Sequence, residues 1–300
     1  MVEIKNLQKS YGSLNVLDDL NMTVNQGEIY GFIGENGAGK TTAMNILTGL
    51  ISKNSGDIKI NGKDVLPGSY CPIAYLPESP SLLNYMNAFE YLEYIAVACN
   101  YEGDLETRIR EVIHAVGLEK AVKRRLGGYS RGMTQRAAMA AVMLTDYDLA
   151  VLDEPTSALD PAGRADMMNL IKNMKEQGKT IIFSTHILSD VERVADRIGI
   201  LHGGVIKEEG SLSELVSKYA ENVIAFELDH SAPPLGEKLS RCEFIGDHRV
   251  MGSAYFVKIT GDMAQGSKQL FAFLSGEQIT VTRYQHQTPS LESIYLKSVR

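Results

Sequence analysis

Nine residues near the N-terminus, GENGAGKTT, have the order of a phosphate-binding loop. They match G-x-x-x-x-G-K-[ST], follow the apolar run EIYGFI and precede TTAMNILTGL, which has a helical pattern. Glycines let backbone N–H groups turn inward around phosphate oxygens, and a helix N-terminus adds partial positive charge. Lys40 can reach β- and γ-phosphates, and the Thr41 hydroxyl can bind Mg²⁺. The predicted nucleotide-binding residues of this loop are Gly34, Glu35, Asn36, Gly37, Ala38, Gly39, Lys40, Thr41 and Thr42.

Two adjacent acids, Asp153 and Glu154, end a second apolar run, LAVLDEP. Carboxylates delivered by a buried strand are costly unless a metal or a proton transfer uses them. We expect Asp153 to join the Mg²⁺ shell and Glu154 to activate the attacking water. The alternative is a pair of solvated acids in a turn, which the phosphate-binding loop disfavours because it requires a partner carboxylate.

A third apolar run, IIFSTH, ends in His186. A lone histidine is more often structural than catalytic. However, parallel strands present their C-terminal ends to one crevice, so His186 is expected near Glu154 and the γ-phosphate. The predicted catalytic residues are therefore Lys40, Glu154 and His186.

These motifs lie within a regular order of elements. Residues 2–30 alternate in short segments typical of an antiparallel β unit, and residues from about 79 to 145 show helical periodicity. Strands and helices then alternate as in a parallel sheet. The predicted fold class is α/β: a P-loop NTPase core with an N-terminal antiparallel β subdomain, a helical insertion and a small C-terminal α+β domain. The predicted domains are 1–218 and 219–300.

Composition excludes several classes of protein. With 300 residues, 44% of them hydrophobic and 22% charged, the chain is long enough for about two globular domains and is not disordered. A net charge of −7 without a basic tail disfavours a nucleic-acid partner. Cys71, Cys99 and Cys242 form no CxxC pair and indicate a reducing compartment. His230, His248 and His286 lack the spacing of metal ligands.

No segment has the length of a membrane span. The N-terminus lacks the apolar core of a signal peptide, and the most apolar helical stretch, YLEYIAVA, is far shorter than the ~20 residues that a span needs. We therefore expect a chain that is soluble by itself, with any membrane role arising through a partner.

Taken together and in order, the motifs resemble those of the ATP-binding subunits of ABC transporters, over about residues 2–218. GENGAGKT resembles the Walker A motif, YLPE (75–78) the Q-loop, YSRGM the LSGGQ signature and LAVLDE the Walker B motif with its catalytic glutamate. SALD resembles the D-loop, which ends in Asp160, and His186 resembles the switch histidine. Tyr11 falls where the family stacks an aromatic ring on adenine.

The resemblance implies that two ATPase domains pair head to tail, and that the signature of each closes over ATP held by the other. Ser130 and Gly132 keep the hydroxyl and the close-approaching backbone that this contact needs. Tyr129, Arg131 and Met133 replace the family's Leu, Gly and Gln. Glu78 replaces the usual Gln of the Q-loop, and the resemblance implies that its carboxylate is a third Mg²⁺ ligand beside those of Thr41 and Asp153.

The implied function is ATP hydrolysis, with ATP and Mg²⁺, by a peripheral subunit at the cytoplasmic face of the membrane. The implied partners are a transmembrane permease, contacted by the loop Pro80–Met86, and a second ATPase subunit, identical or homologous. The ending TPSLESIYLKSV resembles ATPases of ABC-2-type exporters, which favours export over import. A regulatory ATPase is the other alternative, although it would lack Glu154 or His186.

Two other classes that share this core are disfavoured. ABC-type ATPases of chromosome maintenance carry long heptad coiled coils, whereas Lys40 and Ser130 are only 90 residues apart. Translation-factor relatives carry two ATPase halves, whereas this chain has one phosphate-binding loop. We expect the C-terminal domain to stabilise or regulate the ATPase dimer.

Overall fold

The computed structural model describes residues 1–65, 73–229, 235–277 and 279–299; Cys71 and His230 lie outside them. The chain divides into two compact units, the first formed by Met1–Leu212 with Tyr295–Arg300 and the second by Ser213–Ile294. This division at 212/213 and the predicted boundary at 218/219 both fall within the helix Leu212–Tyr219.

The strands of the described residues are β1 (Val2–Tyr11), β2 (Leu14–Val24), β3 (Ile29–Gly34), β4 (Ser55–Ile60), β5 (Lys63–Asp64), β6 (Ile73–Leu76), β7 (Leu149–Leu152), β8 (Thr180–Thr185), β9 (Arg197–His202), β10 (Val205–Ser211), β11 (Val223–Leu228), β12 (Ile245–Met251), β13 (Ala254–Ile259) and β14 (Val281–His286). The α-helices of the same residues are α1 (Lys40–Leu47), α2 (Ala88–Ala98), α3 (Leu105–Ala115), α4 (Arg131–Leu144), α5 (Pro161–Glu176), α6 (Leu188–Val194), α7 (Leu212–Tyr219), α8 (Gly236–Leu239), α9 (Met263–Gly276) and α10 (Leu291–Ser298).

A six-stranded sheet forms the centre of the first unit, in the order β10-β9-β3-β8-β7-β6. The strands from β9 to β6 are parallel, and β10 is antiparallel to β9. Every residue of β3, β7 and β8 is buried, as expected where helices cover both faces of a parallel sheet. The C-terminal ends of β3, β6, β7 and β8 therefore share one edge, where their loops meet.

The N-terminal strands form a second, antiparallel sheet in the order β2-β1-β4-β5. Its buried side chains, among them Ile4, Leu20 and Ile58, join α1 and the six-stranded sheet in one hydrophobic cluster. The loop between β3 and α1 is thereby anchored at both ends in the core.

Three helices, α2, α3 and α4, occupy the segment between β6 and β7 and pack on one another. Each begins with a side-chain cap: Asn87 in a capping box with Glu90, Asp104 on the Thr107 N–H, and Ser130 on the Met133 N–H. The helical insertion thus ends with a helix whose N-cap is the signature serine.

The second unit is a four-stranded antiparallel sheet, β12-β13-β11-β14, with helices α8 and α9. Its own hydrophobic cluster includes Leu235, Leu270 and the stacked rings of Phe226 and Tyr255, whose centroids are 5.2 Å apart. The predicted fold class is confirmed, including the small C-terminal α+β domain. Across the described residues, the helices are too short or too polar for any of them to cross a bilayer.

Gly56 and Gly62 provide a matched pair of stability tests. Both have positive φ, +91° and +75°, but a Cβ at Gly56 would lie 2.4 Å from the Asn6 carbonyl oxygen, whereas a Cβ at Gly62 meets nothing. We expect Gly62→Ala to cost about 1 kcal/mol of unfolding free energy through backbone strain. Gly56→Ala should cost about 2 kcal/mol more, because backbone atoms cannot move aside. Urea unfolding of both variants measures the difference, and equal costs would contradict the close packing of β4 on β1.

Candidate active site

The phosphate-binding loop joins the end of β3 to the start of α1 in a conformation that requires glycine. Gly37 and Gly39 have φ values of +83° and +107°, and a Cβ at Gly34 would lie 2.8 Å from the Leu201 carbonyl oxygen. A side chain at Gly39 would meet Leu17 at 2.8 Å. The loop can therefore keep its backbone N–H groups exposed to an anion only with these glycines in place.

Lys40, the first residue of α1, is buried and lies beneath this loop. Its Nζ donates to the carbonyl oxygens of Gly34, at 2.7 Å, and Glu35, at 3.1 Å. It also lies 3.5 Å from Glu154 Oε1. The ammonium group thus links the phosphate-binding loop to the Glu154 carboxylate, just after β7.

Asp153 and Glu154 follow β7 and are both buried, at 0% and 5% exposure. The Asp153 N–H donates to the Leu76 carbonyl oxygen at 2.8 Å, which extends the β6–β7 pairing to the carboxylates. Asp153 Oδ2 is buried and has no hydrogen-bond partner among the described residues. Glu154 has φ of +46°, the left-handed region that a glutamate rarely adopts. Such backbone strain clusters at functional sites.

His186 follows β8 and contacts Glu154 directly. Its Nδ1 lies 3.0 Å from Glu154 Oε2 and 3.1 Å from Oε1. The imidazole remains partly exposed, whereas the carboxylate is buried. The sheet order therefore brings the three predicted catalytic residues together.

A cavity of about 370 Å³ opens over these residues and is lined by Val16, Asn36, Gly37, Gly39, Lys40, Thr41, Thr42, Glu78, Glu154 and His186. Glu78 is exposed and follows β6. The wall described here does not include Tyr11, which is 52% exposed at the end of β1 and has Lys9 Nζ 4.9 Å from its ring centroid.

Tyr75 lies on β6, the strand that leads to Glu78. Burial, and then the charges of Asp153 and Glu78, raise the pKa of Tyr75 to about 12. The phenol therefore stays protonated at neutral pH and donates to Asn45 Oδ1 at 2.9 Å. This bond fixes the strand that leads to Glu78 against α1.

The signature segment lies at the N-terminus of α4, and none of its residues belongs to the cavity wall described above. Ser130 is exposed, and its Oγ accepts from the Met133 N–H at 3.3 Å. The Tyr129 hydroxyl donates to the Ala121 carbonyl oxygen at 2.8 Å, so this departure from leucine gains a structural hydrogen bond. Arg131 is exposed.

A close approach at Gly132 relates the signature to the D-loop. A Cβ at Gly132 would lie 3.4 Å from the Ala158 carbonyl oxygen and 3.3 Å from Leu159. Asp160 caps α5 through its Oδ1, which accepts from the Gly163 N–H at 2.8 Å. The two motifs are therefore neighbours within this chain.

Comparison with known proteins identifies the family. The ABC transporter family profile matches residues 17–157. The uncharacterized ABC transporter ATP-binding protein YxlF of Bacillus subtilis is 34% identical over 300 residues, which cover 100% of this chain and 99% of that protein. This chain belongs to the ABC transporter ATP-binding family.

A second relative and a solved structure agree with this family assignment. The lantibiotic transport ATP-binding protein SrtF of Streptococcus pyogenes is 38% identical over 76% of this chain and 99% of its own length. The dimeric, post-hydrolysis structure of the ATP-binding cassette MJ0796, bound to ADP and Pi, has a TM-score of 0.65 at 25% identity. It covers 71% of this chain and 99% of that one. The protein is an ABC-type ATPase, and its transporter family is the one that the motifs predicted.

The residues of this ABC ATPase fit a Mg²⁺ ion shared with phosphates. Asp153 Oδ2 is a buried oxygen without a hydrogen-bond partner among the described residues. Thr41, Glu78 and Glu154, the residue after Asp153, line the cavity. In the described part of the chain, no three His, Cys, Asp or Glu side chains are grouped to hold a metal by themselves. Mg²⁺ commonly binds through one or two carboxylates together with substrate phosphates, so this donor set is appropriate.

Two residues of the site were missed by the sequence analysis. Val16 lines the cavity from β2, and no chemical group distinguished it from other valines. Ser184, on β8, donates to the Asp153 carboxylate and accepts from the Glu154 backbone N–H. Its signal was a small polar residue inside the otherwise apolar run IIFSTH, two positions before His186.

Replacing Glu154 with glutamine tests the role of the carboxylate. Glu154→Gln removes the base but keeps the side-chain length, so ATP turnover should fall about 100-fold or more while ATP still binds. Phosphate release and binding of a fluorescent ATP analogue measure the two quantities. As a control, Asp166→Asn alters an exposed carboxylate that pairs with Arg136 outside the cavity and should leave turnover unchanged. Near-native turnover by Glu154→Gln would remove Glu154 from the chemistry.

Proposed function

We propose that this ATPase powers an ABC exporter, as a peripheral subunit at the cytoplasmic face of the membrane. Two ATPase subunits close around ATP and open after its hydrolysis, and this cycle drives a separate transmembrane permease. The proposal rests on one observation: the catalytic residues and the signature serine lie in different places in the fold. Lys40, Glu154 and His186 surround one cavity, while the exposed Ser130 lies outside its wall.

In the proposed mechanism, the loop and Lys40 bind the β- and γ-phosphates. Glu154 orients a water molecule for in-line attack and accepts its proton. His186 holds the Glu154 carboxylate through Nδ1, and its exposed ring faces the cavity where charge develops on the γ-phosphate. Because Glu154 is buried and bound from two sides, it needs little reorganisation at the moment of reaction.

Thr41, Asp153 and Glu78 would hold the Mg²⁺ ion. The ion would supply neutralisation of the β- and γ-phosphate oxygens. The protein prepares Asp153 for this role by burying its carboxylate and leaving Oδ2 without a competing donor. Tyr11 would stack on the adenine with the ring face that Lys9 does not cover.

The signature acts on the nucleotide of a second subunit, an identical copy or a homologue. The Ser130 hydroxyl and the backbone at Gly132 would meet the γ-phosphate at the N-terminus of α4. The exposure of Ser130 supports this role, because an exposed side chain is accessible to a second subunit. The nearby Asp160 would lie at the same interface through the D-loop.

The permease would dock on the loop between β6 and α2. Pro80–Met86 lies in this loop, and Tyr85 is 67% exposed. Large exposed aromatic side chains are common anchors of protein interfaces. Export is favoured by the similarity to the lantibiotic transport protein SrtF and by the ending TPSLESIYLKSV, and the permease would select the substrate.

Mixing two inactive variants tests action in trans. Lys40→Ala and Ser130→Ala should each abolish turnover as homodimers, since each breaks both composite sites. Mixed dimers contain one site with neither substitution, so an equal mixture should recover at most about one quarter of native turnover. If each signature served its own chain, no site would be intact and nothing would be recovered.

A control decides whether one intact site suffices. Mixing the Lys40→Ala chain with the native chain gives dimers with one intact site, and their turnover sets the expected recovery. Native homodimers supply about one quarter of native turnover in an equal mixture with random pairing. Turnover above that share in the control, without recovery in the double mixture, would overturn action in trans.

Capture of the partner tests the transporter assignment. A tagged Glu154→Gln chain, held in the ATP-bound state, should retain a multi-span membrane protein from host membranes. Tyr85→Ala should reduce that retention about 10-fold or more, because it removes an exposed interface anchor. Tyr94→Ala, on the exposed face of α2, is the matched aromatic control. Retention of soluble proteins alone, identified by mass spectrometry, would contradict the assignment.

A further inference from the structure

Ser184 is a polar residue inside the core of the parallel sheet. It lies on β8, where every residue is buried, and its own exposure is 0%. In the β3–β8 pairing it stands opposite Phe32, so an apolar residue would pack well at this position. A hydroxyl buried there must have hydrogen-bond partners to offset its loss of water.

Both partners of Ser184 are residues of the catalytic strand end. Its Oγ lies 2.5 Å from Asp153 Oδ1, and the Glu154 N–H donates to the same Oγ at 2.9 Å. An ionised carboxylate only accepts and a peptide N–H only donates, so the direction of both bonds is fixed. The Ser184 hydroxyl hydrogen points to Asp153, and the oxygen lone pair faces the Glu154 backbone.

This arrangement orients the Asp153 carboxylate. One oxygen, Oδ1, is bound to Ser184, and the other, Oδ2, is buried without a hydrogen-bond partner in the described structure. Without the serine, the carboxylate could rotate about its Cβ–Cγ bond, since that torsion is broad. The serine therefore decides which oxygen remains available.

The same hydroxyl supports the backbone of Glu154. That residue is in the left-handed region, with φ of +46°, and such a conformation persists only when its surroundings hold it. The Glu154 N–H is held by Ser184, while its carboxylate is held by His186 and Lys40. Glu154 is thus fixed at both its backbone and its side chain.

We infer that Ser184 is a positioning residue for ATP hydrolysis, because its single hydroxyl orients the Asp153 carboxylate toward the metal and holds Glu154 in its strained conformation. The inference rests on the proposed roles of Asp153 and Glu154. Residues that orient metal ligands typically change metal affinity 10- to 100-fold when they are replaced. A serine that only satisfied buried polar groups would change stability but not metal affinity.

Ser184→Ala separates these two possibilities, with Thr180→Val as its control. Thr180 is on the same strand and the same face, is buried, and accepts from the Gly27 N–H at 2.9 Å through its hydroxyl. Both variants lose one buried hydroxyl bound to a backbone N–H. The control loses it at the end of β8 away from His186.

The first readout is Mn²⁺ affinity in the presence of a non-hydrolysable ATP analogue, measured by electron paramagnetic resonance. Ser184→Ala should weaken Mn²⁺ binding about 10-fold or more. Binding of a fluorescent ATP analogue in excess chelator should be unchanged, because the phosphate-binding loop is untouched. Thr180→Val should change neither quantity.

Turnover supplies the second readout. In Ser184→Ala, kcat should fall about 10- to 100-fold at saturating metal while the KM for ATP changes little, since the loss concerns the positioning of Glu154. Ser184→Thr keeps the hydroxyl and should recover Mn²⁺ affinity and kcat. If Ser184→Ala does not fold, Ser184→Cys is measured instead, because it retains the atom position with a weaker hydrogen bond.

Native Mn²⁺ affinity and kcat in Ser184→Ala would overturn the inference, as would equal losses in Thr180→Val. Asp153→Asn distinguishes this failure from failure of the proposed metal role. If Asp153→Asn weakens Mn²⁺ binding and Ser184→Ala does not, only the role of Ser184 is wrong. If Asp153→Asn also leaves Mn²⁺ binding unchanged, the proposed role of Asp153 is wrong, and the inference falls with it.

Discussion

The burial of two adjacent carboxylates at the end of β7 is the constraint on which the rest of the site depends. Buried charges destabilise a fold unless ion pairs and hydrogen bonds compensate them. Here the compensating groups come from β8, which is paired with β7, and from the end of β3, the next strand in the sheet. Ser184 lies on β8 and His186 directly follows it, while Lys40 follows β3 at the start of α1. The strand order β3-β8-β7 is therefore as necessary for stability as it is for chemistry.

This arrangement also gives a structural reason for the proposed division of the chemistry between two subunits. The six-stranded sheet can place on one edge only the groups that follow its own strands. The signature serine instead caps a helix of the insertion, with the D-loop beside it. A γ-phosphate held between two such surfaces would be contacted on both sides while ATP is intact. Loss of the γ-phosphate on hydrolysis would remove the contact that joins the two surfaces, so the two subunits could separate.

Much of this could be predicted from the sequence, because the strongest signals are local. Apolar runs identified β3, β7 and β8, the glycine pattern identified the loop, and alternation after residue 220 identified strands of the second unit. The pairing of Ser184 with Asp153 could not be predicted. It depends on the β7–β8 register, in which Leu152 stands opposite Phe183, and a one-dimensional pattern does not contain register.

Backbone conformation and tertiary contacts were similarly beyond the pattern. The left-handed φ of Glu154 is held by neighbours from another strand rather than by its own preference. The phenol of Tyr129 contacts Ala121, eight residues earlier, so a departure from the family motif became intelligible only with the fold.

The structure of the Glu154→Gln chain with ATP and Mg²⁺ would test the central claim most directly. The account predicts a triphosphate in the cavity, with Lys40 on the γ-phosphate and Asp153 and Thr41 facing the metal. It also predicts that Ser130 of a second subunit contacts that γ-phosphate. A triphosphate coordinated by one chain alone, with its own Ser130 on the γ-phosphate or no signature near it, would contradict the account.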